Sequence, residues 1–213
     1  MSDIEVRTIP FATFEQNCAL FFDAETRDGV VVDPGGNIDG ILTAIAENGV
    51  NGVNAKAIWL THGHLDHVGV ATELKERFGV EIVGPHADDL WLLETVEKDA
   101  ETYGLPPGSM RNVTPDRLLN EGDAVSFGSH VFEVYHAPGH TPGHVIFFNR
   151  QQKLAHLGDV MFKGAIGPTH FSGGDHGQLL ETIRTKVLPL GDDVAFICGH
   201  GPDRAWPRSG GDR

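Results

Sequence analysis

The chain has 213 residues, and its 40% hydrophobic and 22% charged residues are typical of a folded globular protein rather than a disordered one. Lys and Arg number 16 against 30 Asp and Glu, which gives a formal net charge of -14. This balance argues against nucleic acid and anionic membranes as partners, because both need a basic surface. The 12 histidines of this acidic chain indicate metal binding or acid–base chemistry instead.

Apolar strand-like runs alternate with helical spacings along the chain. The predicted strands cover 4–9, 18–22, 30–32, 55–60, 81–83, 124–127, 130–135, 145–148, 153–157 and 194–198. The predicted helices cover 38–47 with Asn37 as its cap, 69–78, 87–100 and 178–187, and the segment 103–115 is a predicted loop. This alternation is typical of a mixed α/β fold. No linker or repeat divides the chain, so we expect one domain over 1–202 and a mobile tail over 203–213.

The compartment follows from what the sequence lacks. No run approaches the ~18 apolar residues of a membrane helix, and the acidic N-terminal segment has no apolar signal-peptide centre. We therefore expect a cytoplasmic protein without a membrane partner, as a monomer or a small homo-oligomer. Cys18 and Cys198 lie in apolar runs and are expected as buried thiols, although the sequence alone leaves a disulfide between them open.

Four predicted strands end in a glycine beside a histidine or an aspartate. The strand over 55–60 leads into Thr61-His62-Gly63-His64, and three others lead into Gly139-His140, Gly158-Asp159 and Gly199-His200. In α/β sheets ligand sites collect in loops beyond strand ends, where glycine lets the backbone turn tightly beside a bound group. We therefore expect the four loops to build one site.

Seven side chains in these loops are candidate metal ligands: His62, His64, Asp66, His67, His140, Asp159 and His200. Nitrogen and carboxylate ligands without cysteine suit Zn, Fe or Mn better than a structural thiolate site would. His62 and His64 lie two residues apart and can reach one ion, whereas Asp66 and His67 can face a neighbouring ion. A carboxylate such as Asp159 can bridge two cations through its two oxygens.

The run from Thr61 to His67 matches the His-x-His-x-Asp-His signature of the metallo-β-lactamase superfamily. The resemblance continues through 138–144, Gly158-Asp159 and 199–202. More closely, the chain resembles the short, single-domain glyoxalase II-like hydrolases, in segments 16–18, 32–36, 114–117, 174–176 and 188–193. The resemblance implies an αββα four-layer sandwich with the site at one edge of two facing sheets.

The same resemblance implies two divalent metal ions, with zinc expected first and iron or manganese as alternatives. It places one ion between His62, His64 and His140 and the other between Asp66, His67 and His200, with Asp159 bridging them. It also implies hydrolysis of a small thioester such as S-lactoylglutathione, and a thiolate leaves readily because its conjugate acid has a pKa near 8.5. Asp66 is in addition the catalytic candidate that orients the attacking water, whereas Thr61 and His144 are candidates for supporting roles.

The contacts with substrate are predicted from single residues rather than from a motif. Lys163, four residues after Asp159, is the candidate cation for an anionic substrate, and Tyr103 and Phe162 are candidates for an apolar wall. Relatives carry an Arg and an Asp in the stretch that here reads Gly-Pro-Thr-His-Phe over 167–171, so His170 is a candidate extra ligand or base.

Three alternatives stay open at this point. One is a persulfide dioxygenase-type oxidoreductase, whose family keeps the His-rich motif but holds one iron by two histidines and one aspartate. Another is a lactonase or β-lactamase-type hydrolase, and the third is a metal-binding protein with little turnover. The presence of all seven candidate ligands favours the two-metal hydrolase.

Overall fold

A computed structural model describes residues 2–46 and 52–201. The predicted tail over 203–213 and the last residue of the first predicted helix lie outside the described residues. Within the described ranges, no helix has both the length and the apolar character that crossing a membrane requires. Cys18 and Cys198 are both buried, and neither forms a disulfide, as expected.

The N-terminal half forms one five-stranded sheet. Its strands are β1 (Ile4–Phe11), β2 (Gln16–Asp23), β3 (Asp28–Val32), β4 (Asn54–Trp59) and β5 (Glu81–Val83), in that spatial order. The pairs β1–β2 and β2–β3 are antiparallel, whereas β3–β4 and β4–β5 are parallel. Strand β4 therefore ends beside its parallel neighbours, and the loop that follows it carries the first histidines of the site.

The C-terminal half forms a second five-stranded sheet and a small hairpin. In chain order the strands are β6 (Ala124–Phe127), β7 (His130–His136), β8 (Val145–Asn149), β9 (Leu154–His156), β10 (Met161–Phe162), β11 (Ala165–Ile166) and β12 (Ala195–Ile197). The sheet order is β12-β9-β8-β7-β6, and β12 runs parallel to β9. Strands β10 and β11 pair with each other, and two-residue strands are too short for a sequence pattern to predict.

Helices cover the outer faces of both sheets. They are α1 (Ile38–Ala46), α2 (Leu65–Val68), α3 (Ala71–Phe78), α4 (Leu90–Leu93), α5 (Val96–Thr102) and α6 (His176–Thr182). A 3-10 turn (Ala87–Asp89) precedes α4, and α6 continues into a π-helical turn (Ile183–Val187) and a 3-10 turn (Leu188–Leu190). The predicted cap of α1 is confirmed, since the Gly40 N–H donates to Asn37 Oδ1 over 3.3 Å.

The alternation of side chains along the strands explains the layers. Leu20 and Phe22 of β2 pack with residues of the N-terminal helices, whereas Ala19 and Phe21 face the second sheet. On β8, Phe147 faces the first sheet and its neighbours on either side pack with α6. The order is therefore helices, sheet, sheet, helix, and the predicted αββα sandwich is confirmed.

The predicted helix over 87–100 is interrupted, which is a correction. Its buried side chains keep a helical spacing across the break, so the periodicity gave no sign of it. The Thr95 hydroxyl lies 3.1 Å from the Leu92 carbonyl and donates over 2.9 Å to Asp99 Oδ2. Such local side-chain bonds compete with the helical ladder and separate α4 from α5.

Candidate metal centre

The predicted ligands all lie just beyond strand ends at one edge of the sandwich. His62 and His64 follow β4 and lead into α2, which holds Asp66 and His67; the others follow β7, β9 and β12. The two sheets are joined at this edge by a bridge between Gln16 and His200. The fold thus brings the seven side chains together.

Three histidines converge as a first group, which we define as His62, His64 and His140. His64 Nδ1 lies 3.1 Å from His62 Nε2 and 2.9 Å from His140 Nε2. Burial lowers the pKa of all three, and that of His64 falls to about 3. At neutral pH the three rings are therefore neutral and offer lone pairs. Nitrogens around a tetrahedral zinc with bonds of about 2.0–2.1 Å lie about 3.3 Å apart, close to the spacing here.

The second group consists of Asp66, His67 and His200. His200 Nε2 lies 3.3 Å from Asp66 Oδ2 and 3.2 Å from His67 Nε2. Burial lowers the pKa of His200, but hydrogen bonds to Asp159 and Asp66 outweigh this effect and raise it to about 10. The carboxylates thus give this group an affinity for positive charge, which a proton or a metal ion can satisfy.

Asp159 lies between the two groups. Its Oδ2 is 3.5 Å from His140 Nε2 and 3.3 Å from His200 Nε2, and its Oδ1 is 3.5 Å from His67 Nε2. Burial raises the pKa of Asp159, but the facing histidines outweigh it and hold the pKa far below its usual range. Oδ1 is buried with no hydrogen-bond partner among the described residues. An ionised, buried and incompletely paired carboxylate is what a ligand between two cations requires.

The backbone at Gly199 lies so close to the Asp159 carboxylate that no side chain fits at this position. A Cβ added to Gly199 would clash with Asp159 Oδ1 and with the ring of His67. The glycine before His200 therefore lets the β12 loop approach both groups.

The far nitrogens of three of the histidines are held by acceptors, which orients their rings. His67 Nδ1 lies 3.0 Å from Asp33 Oδ2, and His140 Nδ1 lies 2.7 Å from the Pro168 carbonyl. His200 Nδ1 likewise lies 3.0 Å from a backbone carbonyl, that of Phe14. With Nδ1–H donating, each Nε2 lone pair is free to face its group, an arrangement typical of metal-ligating histidines.

Asp33 is a buried carboxylate for which the sequence predicts no role. It directly follows β3, and it accepts the Thr61 N–H over 2.7 Å and the Thr61 hydroxyl over 2.6 Å. It therefore fixes the start of the histidine loop as well as His67. The supporting role predicted for His144 also has a contact, since its Nε2 accepts the Asp159 N–H over 3.0 Å. A polar residue at the end of a buried strand is the signal that could have found Asp33.

A second buried carboxylate, Asp89, was also missed. Its Oδ2 accepts the Gly63 N–H over 2.9 Å and the Thr141 hydroxyl over 2.7 Å, and its Oδ1 accepts the Gly143 N–H over 2.6 Å. Burial raises the pKa of Asp89 to about 6, against these three hydrogen bonds. One side chain thus joins the loop of His62 and His64 to the loop of His140.

A cavity of about 480 Å³ opens onto both groups. Besides five of the predicted ligands, its lining contains the side chains of Phe14, Leu65, Tyr103, Phe162, Pro168 and Phe171. Tyr103 and Phe162, the predicted apolar wall, lie there. The sequence does not predict the other four: Leu65 lies on α2 within the His-rich motif, whereas Phe14 precedes β2 and Pro168 and Phe171 follow β11. Lys163 lies exposed in the turn between β10 and β11, outside this lining, and His170 is exposed with its ring against Phe171.

The sequence profile of the metallo-beta-lactamase superfamily matches residues 13–200, so the chain belongs to this superfamily. The superfamily binds a dinuclear metal centre, and histidine and aspartate side chains that can hold one are present here. The chain is 44% identical to the hydroxyacylglutathione hydrolase GloC of Haemophilus influenzae over 93% of this chain and 91% of that protein.

Solved structures give the same assignment. The B3 metallo-beta-lactamase BLEG-1 superposes with a TM-score of 0.82 at 29% identity, covering 93% of this chain and 92% of that one. TTHA1623 in a di-iron-bound form superposes with a TM-score of 0.81 at 30% identity, covering 94% of each chain. One neighbour is named as a β-lactamase and the other is a di-iron-bound form, so the fold alone leaves substrate and metal identity to be argued from the site.

Proposed function

We propose that this chain is a hydrolase that holds two divalent metal ions and cleaves small thioesters such as S-lactoylglutathione. The observation that carries the proposal is the pair of groups with Asp159 between them, at 3.3 to 3.5 Å from a histidine of each. The 44% identity to a hydroxyacylglutathione hydrolase supports the thioester class.

In this proposal the first group would hold one ion and the second group the other, and Asp159 would be a ligand of both. Zinc suits this set of nitrogen and carboxylate ligands, and the di-iron-bound TTHA1623 supports iron as the alternative. When two ions are bound at such a centre, they supply a water that is deprotonated near neutral pH and polarise the substrate carbonyl.

Hydrolysis of a thioester forms a bond from a water oxygen to the acyl carbon and breaks the C–S bond. The sulfur leaves with the bonding electron pair as a thiolate, and the water protons pass to the thiolate and to solvent. Because the thiol has a pKa near 8.5, its departure needs little help from a general acid. The chain therefore needs to position the water and the acyl group more than it needs to deliver a proton.

Asp66 is the residue that we propose to orient the water. Its carboxylate lines the cavity, its side chain is 15% exposed, and one oxygen lies 3.3 Å from His200 Nε2. Burial raises the pKa of Asp66, but His67 and His200 outweigh it and lower the pKa. An ionised carboxylate that reaches both the second group and the open space can accept a hydrogen bond from the attacking water.

The test combines metal analysis of the purified protein with a substrate panel. We expect two metal ions per chain and hydrolysis of S-lactoylglutathione, measured by the loss of thioester absorbance. A lactone, a β-lactam and glutathione persulfide form the other arms of the panel. Oxygen consumption with the persulfide and one iron per chain, without thioester hydrolysis, would replace the proposal by an oxidoreductase.

A further inference from the structure

Aromatic side chains from four separate segments line the cavity that opens onto the first and second groups. Phe14 lies between β1 and β2, Tyr103 follows α5, Phe162 belongs to β10, and Phe171 precedes α6. Most of the remaining lining consists of the ligands themselves, so the rings provide the surface that a substrate meets beyond the reacting bond.

The rings lie on both sides of the centre. The Phe171 ring makes an edge contact with His64 of the first group, with ring centroids 5.5 Å apart. The Phe162 ring makes an edge contact with His200 of the second group at 5.9 Å. Phe14 and Tyr103 pack edge to face at 5.6 Å in the same cavity. Each group therefore has an aromatic wall beside it.

Two of these rings are unusually exposed for their size. Phe171 is 41% exposed and Tyr103 is 55% exposed. Apolar surface at the rim of a cleft gains free energy when a ligand covers it, and concave sites lined by aromatic residues bind mainly through such contacts. The aromatic walls thus favour a substrate that carries apolar groups on either side of the bond that is cleaved.

We infer that the site prefers thioesters whose acyl group is an apolar chain of several carbons over the short, hydroxylated lactoyl group. This inference rests on the proposed thioester hydrolysis and adds the substrate class to it. The two arms of a thioester extend in opposite directions from its C–S bond. A carbonyl held between the groups directs one arm toward the wall at Phe171 and the other toward the wall at Phe162.

The test uses the metal-loaded enzyme and a series of glutathione thioesters with acetyl, butyryl and hexanoyl groups beside S-lactoylglutathione. The thiol arm and its charge are constant, so the series isolates the acyl arm. We expect kcat/KM to rise about two- to fourfold for each added methylene, the range from partial to full burial of that group. S-lactoylglutathione should fall at the low end of the series.

Two variants test which of the two walls contacts the acyl group, and a third variant is the control. Phe171→Leu or Phe162→Leu should flatten the dependence on chain length, according to which wall holds the acyl arm. Phe78→Leu alters a ring that is 37% exposed on α3 and lies outside the lining of this cavity, so its series should match the unmodified enzyme.

The outcomes distinguish failure of the inferred acyl-chain preference from failure of the proposed thioester hydrolysis. Hydrolysis of the lactoyl thioester with no gain from longer chains, or an unchanged slope in both cavity variants, would overturn the inference and leave the proposed function standing. No hydrolysis of any thioester by enzyme carrying two metal ions would overturn the proposed function, and the inference with it.

Discussion

The first and second groups differ in charge, burial and support. The first consists of three neutral imidazoles, of which His62 and His140 are almost completely buried. The second contains the Asp66 carboxylate, and the His200 side chain is 26% exposed. The first group would thus hold a cation through its geometry, whereas the second would also use negative charge.

This difference explains why the buried Asp89 matters on one side only. Neutral ligands attract a cation weakly unless their lone pairs already converge, so the first group needs its two loops fixed relative to each other. Asp89 accepts hydrogen bonds from both loops, at Gly63 and at Gly143. The ligands of the second group lie in α2 and after β12, and no hydrogen bond of Asp89 reaches them among the described residues.

The largest effect is expected from the side chain that both groups share. Asp159→Ala removes the only proposed bridging ligand, so we expect the metal content to fall from two ions to one per chain. We expect kcat/KM for the thioester to fall at least about a thousandfold, as loss of several kcal/mol of transition-state stabilisation implies. Asp192→Ala changes an exposed aspartate and is the control. Two ions per chain in Asp159→Ala would contradict the assignment of the bridge.

Asp89→Asn distinguishes the two groups directly. The Asn amide accepts only through its oxygen, because its nitrogen is a donor. One of the three hydrogen bonds is therefore replaced by a donor that faces a donor. We expect affinity for one of the two ions to fall about 10- to 100-fold while the other is held as before. Metal titration followed by cobalt absorption measures both, and circular dichroism checks the fold. Asp39→Asn, at an exposed position on α1, should leave both affinities unchanged, and equal weakening of both ions in Asp89→Asn would refute the comparison.

A carboxylate–histidine pair far from the metal groups is the reference for a purely structural role. Asp23 accepts hydrogen bonds from the Ser2 hydroxyl, the Thr26 N–H, His130 and the Glu25 N–H, and they hold its pKa well below the usual range. Because ionised Asp23 is favoured in the folded state, its contribution is present above about pH 4 and is lost as pH falls.

We therefore expect Asp23→Asn to lower the free energy of unfolding at pH 7 by about 1–3 kcal/mol. The difference should shrink as pH falls below about 4, as urea unfolding at several pH values can measure. Metal content should stay at two ions per chain. Asp3→Asn, at an exposed position on the same segment, is the control. A pH-independent difference, or loss of metal, would show that this pair is not the structural reference.

The smallest effect is expected at Lys163. As an exposed charge outside the cavity lining, it can assist an anionic substrate only through solvent. Lys163→Gln should raise KM for S-lactoylglutathione less than about fivefold at low salt, and high salt should remove the difference. Lys56→Gln, on β4 and 3.1 Å from Asp28, is the matched control. A larger, salt-independent effect would place Lys163 in direct contact with substrate.

The sequence was informative where the chemistry is local. His62, His64, Asp66 and His67 are neighbours in the chain, and glycine marks the loops of the remaining candidate ligands, so their meeting could be predicted. Alternating apolar residues likewise predicted most strands and the layers between them.

Features that depend on distant segments could not be predicted in this way. Asp89 lies in an acidic stretch that reads like an ordinary exposed helix start, and its role follows only from the position of the loops at Gly63 and Thr141. Phe14 and Phe171 reach one cavity from opposite ends of the chain. The sequence does not predict the break between α4 and α5, because the buried positions keep a helical spacing across it.

The central claim is that the two groups hold two ions with Asp159 between them. Anomalous diffraction from crystals of the metal-loaded protein tests it most directly. We expect two peaks about 3.5–4 Å apart, one among His62, His64 and His140 and the other among Asp66, His67 and His200. A single peak at full occupancy, or peaks away from these side chains, would contradict it.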